Sequence, residues 1–283
     1  MPLNKSVCKA YNRCAPQYET FAVVQRVIGE RLLERLDYLN VEPQRILDVG
    51  CGTGFFMAAL KARYPNAMVV GFDLAFAMLK EARQALRTMD LVGGQLQALP
   101  FADGAFDLIF SNQVIHWAYP LDGIFAEMKR VLSPSGCLFF STLGPDSLKE
   151  IRDIWAGIDT HLHVNDFVDM HEVGDALVRA KLADPVVDME KITLHYRERA
   201  AMLYALKQQG SRNINARRSK SMTGKMKWRT FEAAIDHIIT TQGVFPLTYE
   251  VVYGHAWQAL VQTSSVSDSG DVYIPVSMLR GTL

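Results

Sequence analysis

Four short apolar runs, each tied to a helical stretch, constrain this chain more than any other feature of its sequence. "RILDV" (45–49) and "MVVGFD" (68–73) end at or beside an acid and lead into helix-spaced residues over 53–63 and 75–87. "FDLIFSN" (106–112) and "GCLFFSTL" (136–143) continue the pattern, with a helix expected over 121–132 between them and another over 145–158. Strands that are apolar almost throughout need cover on both faces, and regular strand–helix alternation is how a parallel sheet obtains it. The expected class is therefore α/β. Ahead of this block, residues 20–39 place apolar side chains at three-to-four spacing, the pattern of an amphipathic helix. Beyond residue 160 a helix is expected over 172–181, and strands over 185–196 and 248–257. The roughly fifty residues between those two strands read as mostly helical, a cap or lid, because bare loops of that length are uncommon.

That stretch also carries an unusual charge. The chain has 30 basic and 30 acidic residues, yet "SRNINARRSKSMTGKMKWR" (211–229) holds seven bases and no acid. The neutral total hides a local basic surface that calls for an anionic partner. With 49% hydrophobic and 21% charged residues over 283 positions, the chain is an ordinary globular one. No apolar h-region follows the first basic residue and no run of about 18 apolar residues occurs, so a cytoplasmic protein without a membrane segment is expected. Cys8, Cys14, Cys51 and Cys137 form no CxxC pair, and His163, His171 and His195 are scattered. Reduced thiols and no metal site are the expectation.

"LDVGCGTG" (47–54) closes the first strand and opens a helix, where glycines permit a tight turn and close approach of backbone to a ligand. A dinucleotide fingerprint needs G-x-G-x-x-G, but after Gly50 and Gly52 the third position is Phe55. What stands is D-x-G-x-G-x-G, from Asp48 through Gly54, and it resembles motif I of class I S-adenosylmethionine-dependent methyltransferases. The resemblance implies a Rossmann-like fold: a mostly parallel seven-stranded sheet, helices on both faces, and a helical lid inserted before the last strand. It also implies S-adenosylmethionine as cofactor, whose ammonium suits an acid near the loop where a diphosphate would be repelled. Asp73, followed by Leu74, suits the two ribose hydroxyls. "QLQALPFADGAFD" (95–107) resembles the stretch before strand four, which assigns Gln95 and Leu96 to the adenine edge, although an Asp is usual where Gln95 stands. "SNQVIHW" (111–117) places Asn112 beside the transferred methyl and the cofactor amino group. Tyr11 completes the set as an aromatic of the site or of the core, and Arg13 is open between a contact to the cofactor carboxylate and a solvated helix-start arginine.

Nucleic-acid methylation loses ground, because neither a Pro-Pro-aromatic motif nor a Pro-Cys dipeptide is present. Longer stretches, among them "YNRCAPQYE", "FFSTLGPDSLKE" (139–150), "HVNDFVDMHEVGDALVRA" (163–180), "LTYEVVYGHAW" (247–257) and "YIPVS" (273–277), resemble the malonyl-acyl-carrier-protein O-methyltransferases of biotin synthesis. His116 stands where that family is expected to carry Gln. The resemblance implies methylation of the free carboxylate of malonyl-loaded acyl carrier protein, giving the ester that primes pimeloyl synthesis. A carboxylate is already ionised at neutral pH, so no general base is needed and positioning carries the catalysis. Tyr18, Trp117 and Arg212 are the residues assigned to it, with Phe21 and Tyr119 as further candidates for a dry pocket, and Cys51 reads as a loop packer.

Acyl carrier proteins are acidic, and Arg217, Arg218, Lys220, Lys225, Lys227 and Arg229 would steer one in; a merely solvated basic face is the alternative. The implied division is a segment over 1–40 covering the site, a core over 41–196 and 246–260, a basic lid over 197–245 and a tail over 261–283. A monomer is expected, without nucleic acid, membrane or metal. Two other readings stay open at this point: a different small-molecule class I methyltransferase, or a noncatalytic cofactor-binding protein that docks an acidic partner.

Overall fold

A computed structural model describes residues 2–39, 41–210, 213–215, 218–219 and 221–259, together with two short strands at 265–266 and 272–273. The chain opens with α1 (Pro2–Cys14), a 3-10 turn, α2 (Tyr18–Phe21) and α3 (Val23–Glu34). There follow β1 (Arg45–Val49), α4 (Phe55–Arg63), β2 (Met68–Asp73), α5 (Phe76–Ala85), β3 (Asp90–Gly93), β4 (Phe106–Asn112), α6 (Leu121–Val131) and β5 (Leu132–Leu143). The remainder comprises α7 (Lys149–Ala156), α8 (Met170–Arg179), β6 (Leu182–Tyr196), α9 (Arg199–Gln208), α10 (Lys225–Gln242) and β7 (Phe245–Gln258), before the short β8 (Ser265–Val266) and β9 (Val272–Tyr273).

The seven long strands form one sheet in the order β3-β2-β1-β4-β5-β7-β6. The first five run parallel, while β7 is antiparallel to both β5 and β6. Successive side chains of a strand face opposite ways, and the core divides accordingly. Ile46, Leu108, Phe110 and Phe139 join one apolar cluster with Val24, Ile28 and Leu32 of α3. Leu47, Ile109, Leu138 and Phe140 join the other, with Ile124, Phe125 and Met128 of α6 and Val173 and Leu177 of α8. On α6, Leu121, Ile124, Phe125, Met128 and Val131 are all buried, the three-to-four spacing of a helix lying flat on a sheet.

Three departures from the sequence expectation bear on the site. Strand β3, "DLVG", was not foreseen: it is a four-residue edge strand with exposed ends, too short and polar to register as an apolar run. The helix expected over 20–39 is broken at Ala22 (ψ 40°), where the Phe21 carbonyl accepts a hydrogen bond from Gln209 Nε2 at 2.9 Å instead of continuing a helix. Strands β6 and β7 both extend beyond their expected limits, pairing from Leu182↔Gln258 to Tyr196↔Phe245, and α9 and α10 fill the connection between them. Because sheet order reverses between β1 and β4, the crevice that can hold a ligand opens at their C-terminal ends.

Candidate active site

Asp48, Asp73 and Asn112 are delivered to that crevice by the ends of β1, β2 and β4. The turn after β1 holds Gly50, Gly52 and Gly54, all at positive φ. Two of them are glycine for different reasons. A Cβ on Gly52 would meet only Tyr18, at 4.0 Å, so the bare backbone leaves room in the cavity. On Gly54 it would lie 2.6 Å from Leu86 Cδ1, so this residue serves the packing of α4 against the end of α5 and does not line the cavity.

Asp73 ties the turn down. Its Oδ2 accepts from the Gly52 N–H at 2.9 Å and its Oδ1 from the Ala75 N–H at 2.7 Å, and with the Leu74 N–H also acting on it the carboxylate still keeps lone-pair capacity. Leu74, Gln95 and Leu96 line the same cavity, and Tyr11, Tyr18 and Trp117 wall it. Tyr11 meets Tyr18 and Trp117 edge-on, with ring centroids 6.0 and 5.9 Å apart. Burial pushes both tyrosine hydroxyls up, so they remain protonated donors at any working pH.

A recess continuous with this cavity shares Tyr18, Gly50, Gly52 and Asn112 and reaches Asp48, Glu19 and Arg26. Asp48 is 2% exposed, and its Oδ2 has no hydrogen-bond partner among the described residues. Burial first, and the nearby Asp73 charge second, push its carboxyl up to about 8. An orphaned, buried acid of this kind is costly unless a donor or cation comes to it. The recess therefore fits the ammonium end of an amino-acid-like ligand. Arg13 is corrected here: it is exposed, because the inward stripe of α1 is Val7, Ala10, Tyr11 and Cys14 and residue 13 falls outside it. The cation at this end is Arg26 of α3, paired with Glu19 at 3.7 Å.

A second cavity, of about 320 Å3, lies between the loop after β4, α7, α9 and α10. Its wall is an aromatic stack: Trp155 lies between His163, at 3.7 Å, and Phe231, at 4.6 Å. Asp159 fixes that wall by accepting from Lys227 Nζ at 2.9 Å and bonding His163 Nε2 at 2.9 Å. The described lining contains no Lys, Arg, Asp or Glu. His116 also lines it, tilted against Trp117 and edge-on to Phe167, and burial pushes its imidazole down to about 3, so it is neutral. The two cavities meet at Tyr11, Gln113 and Trp117, which line both.

Of the remaining expected residues, Phe21 packs on Tyr204 outside both cavities and Tyr119 is 72% exposed, so neither belongs to the dry pocket. Cys51 is buried and its thiol is pushed well up by that burial, which makes it inert. Arg218, Lys225 and Arg229 are exposed, whereas Lys227 is engaged by Asp159. Arg212, Arg217 and Lys220 lie outside the described residues. Sequence reasoning missed Arg26 and Gln113: Arg26 on α3 falls in no motif, and Gln113 was given no role beside Asn112. Among the described residues no group of three or more His, Cys, Asp and Glu could hold a metal ion, and no helix is long and apolar enough to cross a membrane.

The sheet order, the reversed final strand and the glycine turn at the switch point define a Rossmann-like class I methyltransferase, and the family model described as a methyltransferase domain matches residues 47–140. The YcgJ protein of Bacillus subtilis shares the fold, with a TM-score of 0.57 at 16% identity over 81% of this chain and 98% of its own. A Legionella pneumophila protein named malonyl-[acyl-carrier protein] O-methyltransferase is 48% identical over 280 residues, 98% of either chain. One of the same name from Laribacter hongkongensis is 42% identical over 92% of this chain and 91% of its own. The chain belongs to the malonyl-acyl-carrier-protein O-methyltransferase family.

Proposed function

We propose that this protein methylates the free carboxylate of a malonyl group carried on acyl carrier protein, with S-adenosylmethionine as the methyl donor, at the start of pimeloyl synthesis for biotin. The observation that carries the reading is the meeting of two unlike cavities: one with an orphaned acid, a glycine turn and a ribose-type carboxylate, the other apolar and uncharged among its described lining residues. When bound, the cofactor supplies an electrophilic methyl on a positive sulfur, and its transfer to a carboxylate oxygen leaves a thioether and a neutral ester.

The protein's own part is to position and to exclude water. Asp48 takes the ammonium end and Arg26 the neighbouring carboxylate; Asp73 offers its spare lone pairs to the ribose, and Gln95 and Leu96 border the base. Gly50 and Gly52 let the backbone approach, and Gly54 supports the turn from behind. Tyr11, Tyr18 and Trp117 form a wall that keeps water from the junction, where opposite charges meet and cancel more readily in a dry site. An arginine gripping the acceptor carboxylate there would blunt its nucleophilicity, and the neutral lining, including the uncharged His116, avoids this. Arg212, outside the described residues, is assigned to the acceptor at the rim on sequence grounds.

Residues 197–245 act as the lid that meets the acidic carrier, 1–40 as the cover over the cofactor, 41–196 and 246–260 as the core. Lys225 supports the docking role: it opens α10, whose first turn has no acid, and a helix dipole disfavours a cation there, whereas Lys227 in the same turn is held by Asp159. Placement against local preference points to selection for a partner. Arg218 and Arg229 extend the surface, as do Arg217 and Lys220 by sequence.

The test is label transfer from methyl-labelled cofactor to malonyl-carrier protein, malonyl-coenzyme A and free malonate in parallel. Base-labile label on the carrier protein, at a higher kcat/KM than on the other two, is the expected outcome. No label on the carrier while a phenol or free acid is methylated would remove the substrate assignment.

A further inference from the structure

Gln113 is the one polar side chain at the junction that the cofactor and acceptor roles above leave unused. It follows β4 directly, is 9% exposed, and sits at φ 58°, a left-handed backbone that costs a non-glycine residue about 1–2 kcal/mol. Such strain persists only where surrounding structure holds it. Here the hold is Ser141, fully buried on β5 and paired across the sheet with Asn112.

The directions of the hydrogen bonds in this cluster are forced. Asn112 Nδ2 donates to the Gln25 carbonyl at 2.9 Å, so Asn112 turns its Oδ1 toward Ser141. The Ser141 hydroxyl spends its single proton on that oxygen, at 2.7 Å. Ser141 Oγ is therefore an acceptor for everything else, and it takes the Gln113 backbone N–H at 3.0 Å and the Gln113 Nε2 at 3.3 Å. The amide orientation of Gln113 follows: nitrogen to Ser141, oxygen away. That oxygen has no hydrogen bond to any described residue and is not among the atoms shut off from solvent, so it remains open at the place where the cavities meet. The same chain of bonds fixes the amide of Asn112, with one Nδ2 hydrogen on Gln25 and Oδ1 on Ser141, and Asn112 in turn holds Ser141 in the orientation that presents Gln113.

We infer that Gln113 discriminates the charged cofactor from the spent one: its carboxamide oxygen faces the positive sulfur and the methyl it carries. The negative end of the amide dipole is attracted by a sulfonium, and a methyl on positive sulfur is a good C–H donor to oxygen. The neutral thioether left after transfer offers neither attraction. A site built this way releases product more easily than one that binds both forms through shared contacts alone. The inference rests on the proposal that the first cavity takes S-adenosylmethionine.

The test is calorimetric binding of S-adenosylmethionine and S-adenosylhomocysteine to the wild type, Gln113→Met and Gln113→Glu. Gln113→Met, unbranched and of similar size, is expected to weaken S-adenosylmethionine about three- to tenfold and leave S-adenosylhomocysteine within twofold, as loss of weak contacts to a cation implies. Gln113→Glu, which keeps the shape and adds charge, moves the ratio the other way. Unchanged S-adenosylhomocysteine affinity also reports an intact fold. If both ligands bind and their ratio is the same in all three proteins, or both weaken together, Gln113 is only a structural residue and the inference fails. If neither ligand binds the wild type, it is the cofactor reading that fails.

Discussion

Replacing Asp48 by asparagine separates charge from shape at the cofactor end, and its consequence follows from the burial of that carboxyl. With its pKa raised to about 8, Asp48 is about nine-tenths protonated at pH 7 in the ligand-free protein. Receiving an ammonium group requires the ionised form, so binding must expel a proton. The penalty for doing so is about a hundredfold in affinity at pH 6, about tenfold at pH 7 and about twofold at pH 8. S-adenosylhomocysteine, which carries the same amino-acid end without the reactive methyl, should thus bind about tenfold more tightly at pH 7 than at pH 6. The rise ends near pH 8, where the ligand's own amino group begins to lose its proton. Titration calorimetry in buffers of different ionisation enthalpy should detect the release of about 0.9 proton at pH 7. Asp48→Asn should bind more weakly at pH 8 and show neither slope nor proton release. A flat wild-type profile between pH 6 and 7, or a slope that survives in Asp48→Asn, would refute the reasoning. The same shift has a stability counterpart with a definite sign. An acid whose folded pKa lies above its unfolded value near 4 costs nothing below pH 4, and the ligand-free fold should lose stability as pH rises from there to about 8. Asp48→Asn should flatten that decline in thermal melts.

Other substitutions probe other levels of the structure. Phe125→Ala removes a fully buried ring that packs 5.3 Å from Phe140 and should destabilise the fold by about 3–5 kcal/mol in urea titrations; a loss under 1 kcal/mol would mean that α6 is not the anchor it is taken for here. Gly52→Ala, at φ 54° with open space ahead of it, should cost about 1–2 kcal/mol of stability and weaken the cofactor. Gly54→Ala, which drives a methyl into Leu86, should cost more stability and, in the folded fraction, leave affinity nearer the wild-type value. Lys225→Glu with Arg229→Glu should raise the KM for malonyl-carrier protein several-fold, less so at high salt, and leave malonyl-coenzyme A unaffected; equal effects on both substrates would exclude docking at this surface.

The parts of this molecule governed by local pattern could be read from the chain. "RILDV", "MVVGFD" and "FDLIFSN" are strands with the limits their apolar runs suggest, and the glycine turn sits where a strand must hand over to a helix. What failed depends on contacts between distant segments. Arg13 and Arg26 are both arginines on helical stretches of the first forty residues, and only the seating of α1 against α5 and of α3 against β4 decides which one borders the recess. Lys227 looked like its neighbours in the basic run until the loop before α8 brought Asp159 to it. Asn112 was singled out by resemblance and does line the cofactor cavity, but the orientation of its amide, set by Ser141 and Gln25, could not be read from the chain. β3 escaped because an edge strand needs little apolar surface.

The hydrogen bond from Gln209 to the Phe21 carbonyl joins residues 188 positions apart in the chain. During synthesis the first helices leave the ribosome long before Gln209 exists, while the strands and the helix α5 on which they pack follow them directly. The described lining of the cofactor cavity lies entirely between Val7 and Ala118, whereas that of the second cavity extends to Tyr249, so the acceptor side is completed only after most of the chain has been translated. A chain terminated before α9 would keep the glycine turn, Asp48, Asp73 and the aromatic wall around them and still lack the part of the second cavity that Leu203, Leu206, Phe231 and Tyr249 build.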